Sequence, residues 1–205
     1  KTWAKALRVH QWLKNLLIFV PLLTAFSFSS TSAVTKVLLA FFSFSFAASA
    51  TYIVNDLSDL SSDRAHARKR KRPFASCAIR IVDGIGVAAA LMVGAFLLST
   101  WVSPAFSLVL LTYVIITTVY TWSLKEYVLL DVLTLAVLYT VRIVAGALAI
   151  GVWLSPWLLA FSVFMFLSLA LVKRCSELVS LRSADIAATK GRDYRTTDLV
   201  VLWPL

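Results

Sequence analysis

The sequence predicts an all-α polytopic membrane protein, and two observations lead to this fold class. First, 60% of the 205 residues are hydrophobic and the mean hydropathy is +0.85, both well above the values of soluble globular domains. Second, the apolar residues are gathered in segments that are each long enough to cross a hydrocarbon core of about 30 Å as an α-helix. We therefore expect residues 1–205 to form one transmembrane domain.

Six apolar segments and the beginning of a seventh are the predicted membrane spans. The seventh begins near residue 198 and is cut off at Leu205, so the domain is expected to be incomplete at its C-terminal end. The six complete segments cover, approximately, residues 13–30, 34–55, 80–99, 104–123, 128–150 and 154–172.

The basic residues lie on one side of these spans. The turns at 29–32, 99–104 and 151–156 contain no Lys or Arg, and the other side holds all of the 20 basic residues except Lys36 and Arg142. By the positive-inside rule the basic side is cytoplasmic, which predicts an inner (plasma) membrane protein whose site faces the cytoplasm. Topology thus accounts for the net charge of +10, and the expected partner is the lipid bilayer, not nucleic acid.

Three acids follow the second predicted span. Asp56, Asp59 and Asp63 are spaced i, i+3 and i+7, which predicts one helical face at the membrane boundary. Carboxylates on one face repel each other unless a cation lies between them, and Mg²⁺ prefers oxygen ligands and bridges to substrate phosphates. The motif therefore predicts a site for Mg²⁺, with Mn²⁺ as a substitute. The alternative is a solvated loop with charges of both signs.

Two groups of cations are the nearest candidates for binding phosphate. The basic run at 68–72 follows the acids, and such a run beside a span usually fixes topology and binds anionic lipid. The other interpretation is that Arg72, and with it Arg64, binds phosphate oxygens. Lys14, at the entry to the first segment, either reaches a phosphate or extends to the membrane surface.

Later polar residues lie at or inside the last three complete spans. Tyr120 and Lys125 lie at the end of the fourth. Arg142 is inside the fifth, where a charge needs a partner, so it either ties helices together or holds an anion. Lys173 and Glu177, at the end of the sixth, are spaced i, i+4, which favours an ion pair on the helix surface.

The acid motif resembles that of the UbiA superfamily of intramembrane prenyltransferases, which reads N-D-x-x-D-x-x-x-D. Asn55, Asp56, Asp59 and Asp63 match it, and Arg64 matches a frequent follower. The resemblance implies a bundle of nine transmembrane helices around a cavity, of which this chain would cover six and the start of the seventh. It also implies Mg²⁺ and a substrate diphosphate at the first motif, with Asp56 and Asp59 catalytic.

The second motif of the superfamily, D-x-x-x-D after the sixth span, is absent, and the loop there begins Lys173-Arg174-Cys175-Ser176-Glu177. With L-R-x-x-Q-W-x-K-N near the start and K-x-R-P-x-A-S after the acids, the chain resembles the decaprenyl-phosphate phosphoribosyltransferase branch. That branch implies transfer of phosphoribose from phosphoribosyl pyrophosphate to a polyprenyl phosphate, with diphosphate as the leaving group.

Two phosphate-bearing substrates require cations more than a second pair of acids, so Lys173 is predicted to be catalytic. The alternatives are transfer of a polyprenyl group to an aromatic acceptor and, in another class, a lipid transporter or a membrane scaffold; a homo-oligomer also stays open. The residues predicted to bind the polyprenyl lipid or the diphosphate-bearing donor are Lys14, Asn55, Arg64, Arg72, Tyr120, Lys125, Arg142, Arg174 and Glu177.

Overall fold

The computed structural model describes residues 2–66 and 69–183, and these residues are helical almost throughout. Four 3₁₀ helices among them cover Val9–Phe19, Ser27–Ser29, Lys69–Lys71 and Leu124–Glu126. The described α-helices are α1 (Thr2–Ala6), α2 (Val20–Thr24), α3 (Thr31–Ser58), α4 (Leu60–Ala65), α5 (Ile81–Val102), α6 (Pro104–Trp122), α7 (Val128–Ile150) and α8 (Pro156–Ser183).

Five of the described helices, α3 and α5 to α8, are long and apolar enough to cross a membrane. They coincide with the predicted spans from 34–55 to 154–172, although α8 extends further, to Ser183. The predicted seventh span near residue 198 lies outside the described residues.

The first predicted span, 13–30, is not one continuous α-helix. It consists of the 3₁₀ helix Val9–Phe19, then α2, then the short 3₁₀ helix Ser27–Ser29. Pro21, near the start of α2, has no amide hydrogen to donate to a preceding turn. Phe26 then adopts a left-handed backbone conformation (φ 51°), which a right-handed helix cannot include.

The ends of the long helices follow ordinary capping chemistry. The hydroxyl of Ser30 accepts a hydrogen bond from the Ala33 amide at the start of α3. Pro104 is the first residue of α6, where its missing amide hydrogen costs nothing. After α7, Gly151 has φ +69° and the amide of Val152 donates to the Ala147 carbonyl, so the helix ends in a Schellman motif.

The described residues form two compact units. The first comprises the residues up to Val114 together with Arg142–Trp153. Within it α3 packs along α5, and the Ser43 hydroxyl donates to the Ala95 carbonyl across that interface at 2.8 Å. Small buried residues on α3 permit this close approach; they include Ala47, Ala48, Ser49 and Ala50.

The second unit comprises Ile115–Val141 and the described residues from Leu154 onward. Within it the rings of Tyr139 and Phe166 stack with their centroids 5.2 Å apart. In both units long apolar side chains face outward, as a lipid-exposed surface requires; examples are Val82, Leu97, Trp101, Trp157 and Phe164.

Candidate active site

Arg72 joins two of the three predicted acids. Its Nη1 lies 3.2 Å from Oδ1 of Asp56 and 2.6 Å from Oδ2 of Asp63, and both carboxylates are buried. Lys69 contributes a weaker contact, with Nζ 3.9 Å from Oδ1 of Asp63. Asp56, Asp63, Arg72, Lys69 and Arg8 are together called the acid cluster below. Each of its two buried carboxylates is paired with at least one cation, as buried charges must be.

Arg8 reaches the acid cluster from the N-terminal segment. Its Nη2 lies 2.5 Å from Oδ1 of Asp56, and its guanidinium carbon lies 4.6 Å from the centroid of the Tyr52 ring. Arg8 adopts a left-handed backbone conformation (φ 50°, ψ 45°) that is uncommon for a non-glycine residue. Strain of this kind is kept where the surrounding contacts fix the residue, and it concentrates at functional sites.

The prediction that the three acids share one face of a continuous helix is wrong in part. α3 ends at Ser58 and α4 begins at Leu60, so the regular helix is interrupted at Asp59. Asp59 has φ −88° and ψ 9°, outside the helical geometry on either side. Asp56 and Asp63 therefore meet through Arg72, whereas the Asp59 carboxylate forms no ion pair or hydrogen bond with the described residues.

The fit of the acid cluster to Mg²⁺ depends on how many carboxylates can share one ion. No three His, Cys, Asp or Glu side chains among the described residues are grouped to share one metal ion. Mg²⁺ needs fewer, however, because it is usually bound by one or two carboxylates together with substrate phosphates and water. The buried Oδ1 of Asp63 accepts no hydrogen bond from the residues that the structure describes, and its only contact there is the long one to Lys69, so it has a lone pair for a ligand. The buried carboxylates of Asp56 and Asp63 thus fit a magnesium ion that shares a phosphorylated substrate, and Asp59 stays a predicted third ligand.

A second polar group in the first unit surrounds Arg142. Its Nε donates to Oδ1 of Asn15 at 2.9 Å, and its Nη2 donates to the Tyr113 hydroxyl at 3.1 Å. Asn15 donates in turn to the Ser45 hydroxyl at 3.0 Å, and all four side chains are buried. Arg142 therefore ties α7 to α6 and to the 3₁₀ helix Val9–Phe19. Lys14, which is half-buried, lies beside Asn15 on that same 3₁₀ helix.

The second unit has its own buried ion pair. Arg174 on α8 donates from Nη2 to Oδ2 of Asp131 on α7 and from Nη1 to Oε2 of Glu177. Tyr120 completes the group, with its hydroxyl donating to Oδ1 of Asp131 at 2.7 Å. The ion pair expected between Lys173 and Glu177 does not form, because Glu177 pairs with Arg174 at i, i+3 instead.

The remaining predicted site residues form no ion pair or side-chain hydrogen bond with these groups among the described residues. Asn55 is half-buried on α3, one residue before Asp56. Arg64 follows Asp63, is exposed and donates to the sulfur of Cys77 at 3.4 Å. Lys125 is half-buried in the 3₁₀ helix Leu124–Glu126, and Lys173 is exposed on α8. Their roles therefore stay predictions.

Several residues of these groups, among them Arg8, Asn15 and Tyr113, were not predicted from the sequence as site residues. Arg8 and Asn15 belong to the L-R-x-x-Q-W-x-K-N motif. Tyr113 gave no signal, because a tyrosine within an apolar span is common at helix interfaces. The L-R-x-x-Q-W-x-K-N motif could have identified Arg8 and Asn15.

The sequence profile described as the UbiA prenyltransferase family matches residues 16–192, which is most of the chain. The chain belongs to the UbiA prenyltransferase family. The resemblance drawn from Asn55, Asp56, Asp59 and Asp63 is thereby confirmed at the level of the family, which is a family of transferases. UbiA family membership and the five apolar helices also make the chain an integral membrane protein.

Curated relatives match nearly the whole chain. An uncharacterized protein of Sinorhizobium fredii, y4nM, is 40% identical over 205 residues, which are 100% of this chain and 39% of the relative. The decaprenyl-phosphate phosphoribosyltransferase of Mycolicibacterium smegmatis is 31% identical and covers 98% of this chain and 65% of its own length. The chain thus spans less than two thirds of the length of either relative.

A solved structure shares the fold. The UbiA homolog from Archaeoglobus fulgidus, determined bound to DMAPP and Mg²⁺, superposes with a TM-score of 0.77 at 20% sequence identity. The match covers 100% of this chain and 73% of that protein. The predicted fold class, an all-α UbiA-type membrane bundle, is therefore confirmed, with five membrane-length helices in the part of the chain that the structure describes.

Proposed function

We propose that this protein is a Mg²⁺-dependent intramembrane transferase that moves phosphoribose from phosphoribosyl pyrophosphate to a polyprenyl phosphate. The observation that carries the proposal is the acid cluster, in which Arg72 bridges the buried carboxylates of Asp56 and Asp63. Such a cluster can exchange its internal ion pairs for a metal and a diphosphate without leaving a buried charge uncompensated. The named activity of the mycobacterial relative supports the choice of donor and acceptor.

The reaction exchanges one carbon–oxygen bond for another. The bond between the sugar C1 and the diphosphate breaks, and the diphosphate leaves with the electron pair. A new bond forms between C1 and an oxygen of the polyprenyl phosphate. Mg²⁺, held by Asp56, Asp59 and Asp63, would act as a Lewis acid on the departing diphosphate.

Polar side chains of the first unit are proposed to position the phosphate groups of the donor and of the lipid acceptor. With a metal on the acids, the guanidinium groups of Arg8 and Arg72 would hold phosphate oxygens in a bidentate manner. Asn55 and Arg64 are assigned to the same donor end. Lys14 and Arg142, which belong to the buried polar group around Asn15, are assigned to the phosphate of the lipid acceptor.

Two lysines of the second unit are proposed to bind phosphate groups. Lys173, exposed on α8 and without an ion pair in the described residues, is proposed to contact a substrate phosphate directly. Lys125 has the same proposed role. Arg174, with Glu177 and Tyr120, forms the hydrogen-bonded group around Asp131 that holds α8 beside α7. We further propose that the site faces the cytoplasm from the inner membrane, as the basic residues predict.

The decisive experiment offers both classes of donor to one preparation of purified protein in lipid. Phosphoribosyl pyrophosphate is supplied with decaprenyl phosphate, and in parallel a prenyl diphosphate is supplied with an aromatic acceptor, each with Mg²⁺ and with EDTA. We expect Mg²⁺-dependent release of diphosphate and a phosphoribosylated lipid in the first reaction alone. Prenylation of the aromatic ring without use of the sugar donor would assign the prenyltransferase reaction instead. If neither donor releases diphosphate, the protein is not this kind of transferase, and the alternatives are a lipid transporter or a membrane scaffold.

A further inference from the structure

A polar pocket of about 300 Å³ adjoins the acid cluster in the first unit. Asp56 and Arg72 form its inner end. Its remaining lining includes three basic or titratable side chains that the proposed reaction has not used, namely Lys5, His10 and Lys71. All three are exposed, so they line the open part of the pocket. Its volume is at the lower limit of pockets that bind small molecules, about 300–1,000 Å³.

One wall of this pocket is the turn that leads from α1 into the 3₁₀ helix Val9–Phe19. The hydroxyl of Ser49 on α3 donates to the Leu7 carbonyl at 2.8 Å and accepts from Nε1 of Trp12 at 3.0 Å. The turn closes on itself through the Gln11 amide, which donates to the Arg8 carbonyl at 2.7 Å. These bonds fix Lys5, Arg8 and His10 against α3.

The segment Lys71–Pro73 supplies a further part of the lining. The Arg72 amide donates to the Lys69 carbonyl, and the Arg72 carbonyl accepts from the Ser76 amide, both at 2.9 Å. Phe74 follows, and it is buried in a core with Ile53, Ile79 and other apolar residues. The segment is therefore anchored, and Lys71 extends from a fixed backbone.

The charges of the pocket are not balanced. Asp56 is the single acid among the described lining residues, and both Arg8 and Arg72 already form ion pairs with it. Lys5 and Lys71 form no ion pair with any described residue. A phosphate monoester carries about two negative charges at pH 7, which matches these two lysines. The pocket thus favours a monophosphate group joined to whatever the acid cluster binds.

We propose that Lys5, His10 and Lys71 bind the second phosphate group of the donor, the one outside the diphosphate. This assignment rests on the proposed function, since it requires a donor with a phosphate at each end. The diphosphate would lie at Asp56 and the acid cluster, and the distal phosphate in the basic pocket. The pocket then selects sugar phosphates over simple prenyl diphosphates, which carry no second phosphate.

The test measures binding to purified protein in neutral-lipid nanodiscs, with Mg²⁺ and no acceptor. Three probes are titrated: phosphoribosyl pyrophosphate, inorganic diphosphate and ribose 5-phosphate. In Lys71→Ala and Lys5→Ala we expect roughly tenfold weaker binding of the two probes that carry the distal phosphate. The affinity for inorganic diphosphate should stay within about twofold of the wild type. Arg70→Ala is the matched control, because Arg70 is an exposed cation of the same basic run that does not line the pocket.

The outcomes separate this proposal from the proposed function. Wild-type protein that binds phosphoribosyl pyrophosphate no more tightly than diphosphate would overturn the donor itself. Wild-type protein that prefers the sugar donor, with Lys71→Ala keeping that preference, would overturn the pocket alone. The titration is repeated in nanodiscs that contain phosphatidylglycerol. If this anionic lipid competes with ribose 5-phosphate, and Lys71→Ala removes the competition, the pocket binds a lipid headgroup. That result would also overturn the assignment of the pocket to the donor phosphate.

Discussion

The Asp63 carboxylate accepts a hydrogen bond of 2.6 Å from Arg72, nine residues later in the chain, and only 1% of the Asp63 side chain is exposed. Arg72 also contacts Asp56, so a single guanidinium occupies the space between two acids that the sequence assigned to a metal. Under the proposed function, a metal ion held by Asp56 and Asp63 would supply part of the positive charge that Arg72 supplies between them. Arg72 would then be available to hold a phosphate group of the substrate.

The double variant Asp56→Asn/Asp59→Asn should lose Mg²⁺-dependent release of diphosphate. Asparagine keeps the shape of each side chain but removes the negative charge that binds the metal, and the expected loss of rate is on the order of a hundredfold or more. The measurement is diphosphate release over a titration of Mg²⁺. Asp83→Asn is the control, since Asp83 pairs with Arg80 at the surface and lies outside the acid cluster. Wild-type rates in the double variant would refute the metal assignment.

Arg174→Ala should destabilise the protein strongly. It leaves Asp131 as a buried carboxylate without its cation, and breaking a buried ion pair on one side costs about 3–5 kcal/mol. Thermal unfolding in detergent should show a clearly lower midpoint, and adding Asp131→Asn should recover part of the loss. Lys173→Ala is the control, because Lys173 is the exposed neighbour of Arg174 and forms no ion pair with the described residues. Equal midpoints for the two alanine variants would show that the buried pair adds no net stability.

Gly84→Ala should disturb the segment that carries Arg72. A Cβ at Gly84 would lie 2.5 Å from Cε1 of Phe74, whose ring is buried against α5. Overpacking of this kind costs about 1–3 kcal/mol, and it should lower the unfolding midpoint and weaken binding at the acid cluster together. Gly86→Ala is the matched control on the same helix, since nothing lies within 4 Å of its added Cβ. If Gly84→Ala is as stable as Gly86→Ala, the contact with Phe74 is not restrictive.

The topology can be tested with a cysteine that the chain already has. Cys77 is exposed in the predicted cytoplasmic loop, whereas Cys175 is buried. A membrane-impermeant maleimide should label Cys77 only after the cells are permeabilised. In a Cys77→Ser background, Ser30→Cys should be labelled from outside intact cells, because Ser30 is exposed in a predicted outer turn. The opposite pattern at both positions would reverse the predicted orientation.

The long helices were predictable because each is a continuous apolar run with a clear boundary. Pro104 and Pro156 mark two helix starts, and Gly151 marks an end. The first segment was not predictable in this way. Its hydropathy is that of a span, but hydropathy does not distinguish a 3₁₀ helix from an α-helix, nor does it reveal the left-handed turn at Phe26.

The acids of the site were predictable, whereas the cations that hold them were only partly so. Arg8 is 48 residues from Asp56, and Arg174 is 43 residues from Asp131. Spacing rules describe neighbours within one helix, so they pointed to Lys173 as the partner of Glu177 and missed Arg174. Long-range pairs depend on how the helices pack, and a single sequence carries no direct signal of that packing.

Ser49 has a consequence for anyone who redesigns this protein. Its one hydroxyl connects the turn that carries Arg8 to α3, the helix that carries Asp56. An uncharged side chain that hydrogen-bonds to neither of them thus helps to hold the cation near the acid. A library built only from charged positions would omit Ser49, although we expect Ser49→Ala to loosen the turn that carries Arg8.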